Sequence, residues 1–274
     1  VSSHSERNDR RKPSAPGRDF THKPRNNQNF SKGKEDAKDW IWGIHAVEAA
    51  LSNPARPAPK RLLVTPDRAK RLAPEAAKLA CLQIMEGQDI ARQLPQGAVH
   101  QGLALKIDEP ESLSIAELGE NPGGFLVMLD QITDPQNVGA IFRSAAAFGA
   151  RGVILQDRHA PTLSGVLAKT AVGGVDKVAH ARVVNLSRAL EELADMGWRA
   201  VGLAGEAEET LDVALDGSPT VLVLGSEGEG VRRLVAEHCD AMGKIAMPGG
   251  FESLNVSAAA AIALYEASRV SRRG

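Results

Sequence analysis

The sequence predicts an α/β protein: a mostly parallel sheet covered by helices on both faces, preceded by a smaller α/β unit. Three observations carry this. From residue 124 onward, short apolar runs without period-two alternation recur between amphipathic stretches, the pattern of strands buried on both faces. Residues 108–123 turn acidic and rich in Pro and Gly, which sets that region apart from a shorter mixed segment before it. The 274 residues suit one large or two modest domains, and no apolar run approaches the roughly 18 residues of a membrane helix.

The order along the chain begins with a polar tail, residues 1–38, nearly free of aliphatic side chains. Such a segment buries too little apolar area to offset its ordering entropy, so it is expected to stay disordered. The net charge of −1 divides unevenly, because residues 1–34 hold nine Lys or Arg against Glu6, Asp9 and Asp19. That leaves a surplus of +6 on the tail and −7 on the body. The tail reads either as an electrostatic arm for a polyanion or as a solubilising extension.

Residues 39–107 form the small unit. "WIWGIHAVEAAL" reads as a turn and then a helix, with Ile44, Val47, Ala50 and Leu51 at helical spacing. "KRLLVT" and "QGLALKI" read as strands, and "RAKRLAPEAAKLA" as a weak helix broken by Pro74. Residues 108–123 are expected to be a linker, and 124–274 the larger domain.

In that domain strands are expected at Phe125–Leu129, Gly152–Leu155, Arg199–Leu203, Thr220–Leu224 and Lys244–Met247. Helices are expected at Asn137–Phe148, Leu163–Ala171, Leu186–Met196, Val231–His238 and Val256–Val270.

In open α/β sheets ligands gather beyond the carboxyl ends of the strands, and three loops there are unusual. In "LDQITDPQNVGAIFRSAAAFGA", Asn137 precedes an apolar helical pattern and suits a helix N-cap. Arg143 follows on the same helix. An exposed helical Arg is ordinary, but a cap, a Gly and an Arg directly after a strand form a setting that receives anions. In "VLVLGSEGEGV", a buried-type strand runs into Gly225, Gly228 and Gly230, which allow close backbone approach. Glu227 would repel phosphate, so this loop suits a nucleoside bearing a positive group better than a nucleotide triphosphate. In "IAMPGGFESLNVSAAAAIALYEA", Ser253 and Asn255 flank Leu254 at a helix start, one polar residue more than a cap requires.

Together "DPQNVGAIFRSAAAFG", "LVLGSEGEG" and "IAMPGGFESLNVSAAAAIALYEA" resemble the three signature motifs of the SpoU (TrmH) family of RNA ribose 2′-O-methyltransferases, in the SPOUT superfamily. They stand in the family's order and spacing over about the last 150 residues. "GIHAVEAAL" and "HQGLALKI" are similar to the N-terminal substrate-binding domain of the 23S rRNA (guanosine-2′-O) methyltransferase subfamily.

The resemblance implies a deep trefoil knot in the catalytic domain, an exception to the rule of unknotted chains. It implies S-adenosyl-L-methionine held near Leu203, Gly225, Ile245 and Leu254. It implies a homodimer with active sites near the dimer interface, and an RNA substrate, a guanosine of 23S rRNA first among candidates; two cysteines, too few for a disulfide framework, separately fit a reducing cytoplasm. The family's functional residues fall on Asn137, Arg143, Glu227, Ser253 and Asn255, all present here. The reaction needs a ribose 2′-hydroxyl to lose its proton while attacking a sulfonium methyl in line. A guanidinium is a poor proton acceptor, so Arg143 is expected to stabilise the developing alkoxide and bind the neighbouring phosphate. Glu227, Ser253 and Asn255 would then orient Arg143 and the ribose, with Asn137 shaping the same pocket.

Two other readings stand beside this one: a tRNA ribose methyltransferase sharing the same motifs, and a non-catalytic RNA-binding factor of ribosome assembly. A Rossmann oxidoreductase lacks its glycine fingerprint here. His45, His100, His159, His180 and His238 are scattered without metal-ligand spacing, so no metal is expected. Cys81 and Cys239 read as packing residues within helices.

Overall fold

A computed structural model describes residues 39–250 and 253–272; the expected tail at 1–38 lies outside them. In the first unit, strands β1 (Trp40–Trp42), β2 (Arg61–Val64), β3 (Leu82–Ile84) and β4 (Leu103–Lys106) form a sheet in the order β1-β4-β2-β3. β4 runs antiparallel to β1 and to β2, while β3 lies parallel to β2. Helices α1 (Ile44–Ser52), α2 (Pro66–Ala69), α3 (Pro74–Ala77) and α4 (Gly87–Gln93) connect them.

The stretch Trp40–Trp42, expected as a turn, is a strand with all three residues buried. Aromatic and β-branched residues suit a pleated surface, and β4 supplies the partner that only the folded chain reveals. Gly43 ends the strand at φ +90°, a conformation favoured by glycine.

The segment expected as a linker is itself structured. Ser114 and Glu117 form a reciprocal capping box that starts α5 (Ile115–Gly119), whose Ile115 and Leu118 are buried. Gly119 accepts a hydrogen bond from the Trp198 indole at 2.8 Å, so the segment is fastened to the domain that follows.

That domain carries β5 (Phe125–Leu129), β6 (Gly152–Gln156), β7 (Ala179–Val183), β8 (Arg199–Leu203), β9 (Thr220–Leu224) and β10 (Ala241–Gly243). Their order is β10-β8-β9-β5-β6-β7, and every pair is parallel. β5 and β9 lie centrally and are buried at all five positions each. Along β5, Phe125, Val127 and Leu129 enter one apolar layer and Leu126 and Met128 the other. This is the period-two geometry of a strand with both faces covered.

The first layer is supplied by α6 (Pro135–Phe148), α7 (Gly165–Ala171), α9 (Leu211–Ala214) and α11 (Val256–Ser271). The second comes from α5, α8 (Leu186–Asp195) and α10 (Arg233–Ala236). Strand β7 has no counterpart in the sequence reading, because its His180 and Arg182 interrupt any apolar run. β10 ends before Lys244, which keeps only an isolated bridge to Thr210. Cys81 and Cys239 lie just outside helices rather than within them.

Candidate active site at the carboxyl ends of the parallel strands

Helix α6 begins two residues earlier than its periodicity suggests. Asp134, not Asn137, is the N-cap, its carboxylate accepting the Asn137 backbone N–H at 2.9 Å, with Pro135 in the first turn. The Asn137 side chain is therefore free of capping. Gly149 ends the helix in the left-handed conformation, at φ +79°.

The glycine loop after β9 curls back on itself. A Cβ on Gly225 would stand 1.9 Å from the Gly230 carbonyl carbon, so this residue makes room for the chain's own backbone rather than for a ligand alone. Gly228 and Gly230 have open space but positive φ, +87° and +66°, and serve conformation instead. The loop closes through the Gly230 N–H donating to the Ser226 carbonyl at 3.0 Å. Behind it, the fully buried Asp130 accepts from the Arg232 backbone N–H and from its guanidinium, at 2.8 Å each. Asp130 ends the apolar run of β5, and that lone charge was the available signal for a buried clamp.

Asn255 caps α11, its side-chain oxygen accepting the Ser257 N–H at 3.0 Å. Its amide nitrogen donates to Glu227 at 2.7 Å and to the Asn137 side-chain oxygen at 3.2 Å. Glu227 also accepts the Val256 N–H at 2.9 Å. A carboxylate at a helix N-terminus is electrostatically favoured there, which explains a Glu between glycines.

These loops enclose a cavity of about 520 Å³, within the usual range for a small-molecule site. Leu203, Gly225, Ile245 and Leu254 all line it, with Glu227, Ser253 and Asn255. The loop Ala204–Glu206 and Met247 line it as well and were not anticipated. Leu203, Leu224, Ile245 and Leu254 give apolar wall suited to an adenine, while Glu206, Glu227 and Glu229 make one rim acidic. No Lys or Arg is among the described lining residues. That donor set fits a positively charged nucleoside such as S-adenosylmethionine and disfavours a polyphosphate.

Arg143 does not join the cluster within one chain. Six residues beyond Asn137, it stands about 120° around the helix and about 9 Å along it. It is exposed, and among the described residues it has no hydrogen bond or ion pair with Glu227, Ser253 or Asn255. The expected orientation of Arg143 by those residues is absent from the single chain, because helix pitch carries it to another face. Among the described residues no group of three His, Cys, Asp or Glu is placed to hold a metal ion. None of their helices is long and apolar enough to cross a membrane.

A parallel α/β sheet with a cofactor-sized, acid-rimmed cleft at its strand ends defines a nucleoside-binding protein of the α/β class. More particularly, the chain belongs to the SpoU rRNA Methylase family, matched over residues 124–265. Residues 40–113 match the domain described as RNA 2′-O ribose methyltransferase substrate binding. The chain is 45% identical over 182 residues to an uncharacterized tRNA/rRNA methyltransferase of Mycobacterium avium, covering 64% of this chain and 58% of that protein. It is 38% identical over 237 residues to the 23S rRNA (guanosine-2′-O-)-methyltransferase RlmB of Pseudomonas aeruginosa, covering 84% of this chain and 95% of that protein. Its fold resembles a solved AdoMet-bound rRNA methyltransferase from Sinorhizobium meliloti, with TM-score 0.73 and 24% identity over 86% of this chain and 88% of that one.

Proposed function

We propose that this protein transfers a methyl group from S-adenosylmethionine to a ribose 2′-hydroxyl of RNA, with a guanosine of 23S rRNA as target. The observation that carries this reading is the Asn137–Asn255–Glu227 cluster, two of whose members line an acid-rimmed cleft with no Lys or Arg among its described lining residues. The guanosine target rests on the likeness to the Pseudomonas aeruginosa protein, which spans most of both chains.

Leu203, Gly225, Ile245 and Leu254 would hold the cofactor, and the acidic rim would face its positive groups. When bound, S-adenosylmethionine supplies an electrophilic methyl. The chain's contribution is alignment and handling of a proton. Asn255, fixed between Glu227, Asn137 and its own helix, orients the ribose, and Ser253 offers a hydroxyl beside it. Arg143 stabilises the alkoxide that develops on the 2′-oxygen and binds the adjacent phosphate, while the proton passes to phosphate or water.

The reading includes a cytoplasmic homodimer. Arg143 shares one side of α6 with Ala140, Ser144 and Ala147, and α11 carries the exposed Ile262 and Tyr265. Tyr265 packs edge-on against Phe148, linking the two helices into one partly apolar surface. A second copy seated there would bring Arg143 of one chain toward the cleft of the other. The proposal also includes the family's knot, supported by the return of the chain from edge strand β10 to the centre, where Val256 bonds Glu227. The domain division at 39–107 and 124–274 rests on the two sheets.

Incubation with labelled S-adenosylmethionine, unmodified 23S rRNA and tRNA, followed by nuclease digestion and mass spectrometry, tests the function. A single 2′-O-methylguanosine in the rRNA is expected. Label in tRNA alone would replace the substrate class, and label in neither would overturn the reading. Calorimetry without cofactor binding would favour a non-catalytic RNA-binding role.

A further inference from the structure

The two sheets are joined by a buried polar contact that the methyl-transfer site does not use. Arg56, from the loop after α1, lays its guanidinium on Asp176 with Nε–Oδ1 2.6 Å and Nη2–Oδ2 3.1 Å. The side chains are 1% and 3% exposed. Arg56 also donates to the Asp108 carbonyl at 2.8 Å, and Asn53 donates to Asp176 at 3.0 Å. A fully buried ion pair adds little net stability over an apolar replacement, but its bidentate fork accepts only one geometry.

Asp176 ends a tight turn that begins at Val172. Val172 has φ +53°, an outlying conformation for a β-branched residue, held only where surroundings over-determine it. The turn is wedged from both sides. A Cβ on Gly173 would lie 2.8 Å from the Ala49 Cβ of α1, and one on Gly174 would lie 2.7 Å from the Phe142 carbonyl and 3.1 Å from the Arg143 nitrogen. The turn thus touches both the small domain and the backbone of Arg143. A second tie is Gln101, whose side-chain oxygen accepts from Lys169 at 2.8 Å. Ala168 of α7 is buried within the small domain's own apolar core.

We propose that the Val172–Asp176 turn keys the small domain to the Arg143-bearing helix, with Arg56 as its positioning residue, so that a fixed span selects which nucleotide reaches the cleft. The inference rests on the proposed methyl transfer and on the small domain's match to a substrate-binding family. A rigidly docked domain presents RNA at one distance and orientation, whereas a tethered one samples many and lowers the effective concentration of the target. Specificity then follows from geometry between two surfaces.

The test uses the full chain and Asp176→Ala. Small-angle scattering should show an enlarged radius of gyration, while S-adenosylmethionine affinity stays within about twofold. With a 23S rRNA fragment, KM should rise about tenfold with kcat retained, and mass spectrometry should find methyl groups on neighbouring nucleotides. If Asp176→Ala does not fold, the Arg56→Met/Asp176→Leu pair keeps the volume filled and should blur the target without parting the domains. An unchanged KM and a single unchanged target nucleotide in either folded variant would overturn the proposal. If the wild-type protein methylates no RNA, the functional reading fails. The scattering comparison then still decides the docking, and identical profiles for wild type and Asp176→Ala would overturn it.

Discussion

Replacing Gly225 with alanine is expected to weaken cofactor binding while leaving the sheet folded. The added methyl would meet the Gly230 carbonyl carbon at 1.9 Å, its oxygen at 2.1 Å and the Val231 nitrogen at 2.2 Å. Carbon atoms rest about 3.5 Å or more apart, so one strand of the loop must retreat by about 1.5 Å. It cannot swing freely, because Asp130 grips Arg232 immediately beyond and Glu227 is tied to Asn255 and Val256. Overpacking of this kind costs about 1–3 kcal/mol, which, where the bound loop bears it, is about 5- to 150-fold in affinity. The dissociation constant for S-adenosylmethionine should therefore weaken by about 30- to 100-fold, measured by titration calorimetry, with circular dichroism reporting the fold. Gly228→Ala is the control: it meets no atom and bears only left-handed strain of about 1–2 kcal/mol, so it should weaken binding less. A Gly225→Ala protein binding within threefold of wild type would refute the reasoning.

Three further outcomes are expected. Glu227→Ala removes the acceptor of the Val256 N–H and one of the two acceptors of the Asn255 amide, two bonds to a charged carboxylate whose loss should cost about 2 kcal/mol or about thirtyfold in kcat/KM; full activity would remove Glu227 from the site. Arg143→Lys keeps the charge but loses the planar fork, so the methylation rate should fall at least about tenfold at every pH tested. An unchanged rate would discard the alkoxide role. His180 is buried, its Nε2 without a hydrogen-bond partner among the described residues, and burial first, then the charges of Arg182 and Arg56, lower its pKa from 6.5 to about 4. The unfolded chain takes up this proton below 6.5 and the folded one only near 4, so stability is complete above pH 6.5 and declines as pH falls through that window. Urea denaturation should show about 2 kcal/mol less stability at pH 5 than at pH 7.5 from this residue, and His180→Phe should flatten that part of the slope.

How far the sequence carried varied by element. Phe125–Leu129 and Thr220–Leu224 were legible as strands because burial on both faces leaves an uninterrupted apolar run. Trp40–Trp42 and Ala179–Val183 were not, the first because its partner is over sixty residues away and the second because an edge strand tolerates His180 and Arg182. Leu203, Gly225, Ile245 and Leu254, far apart in the chain, line one cleft. Glu227 was legible as incompatible with phosphate, yet its actual partners, Asn255 and Val256, could not be read from spacing.

By itself the sequence determined the class of fold and singled out the three loops of the candidate site, because strand burial, turn residues and cap residues act over a few neighbours. Only the tertiary structure decided which of those residues meet. It bonded Asn137 to Asn255 across 118 positions, turned Arg143 away from them, and buried Arg56 on Asp176 across 120. The two distant contacts share one physical reason: they follow from how helices and sheets pack, which leaves no local mark on the chain, whereas Arg143 is carried away by the pitch of a helix whose start only the folded chain fixed.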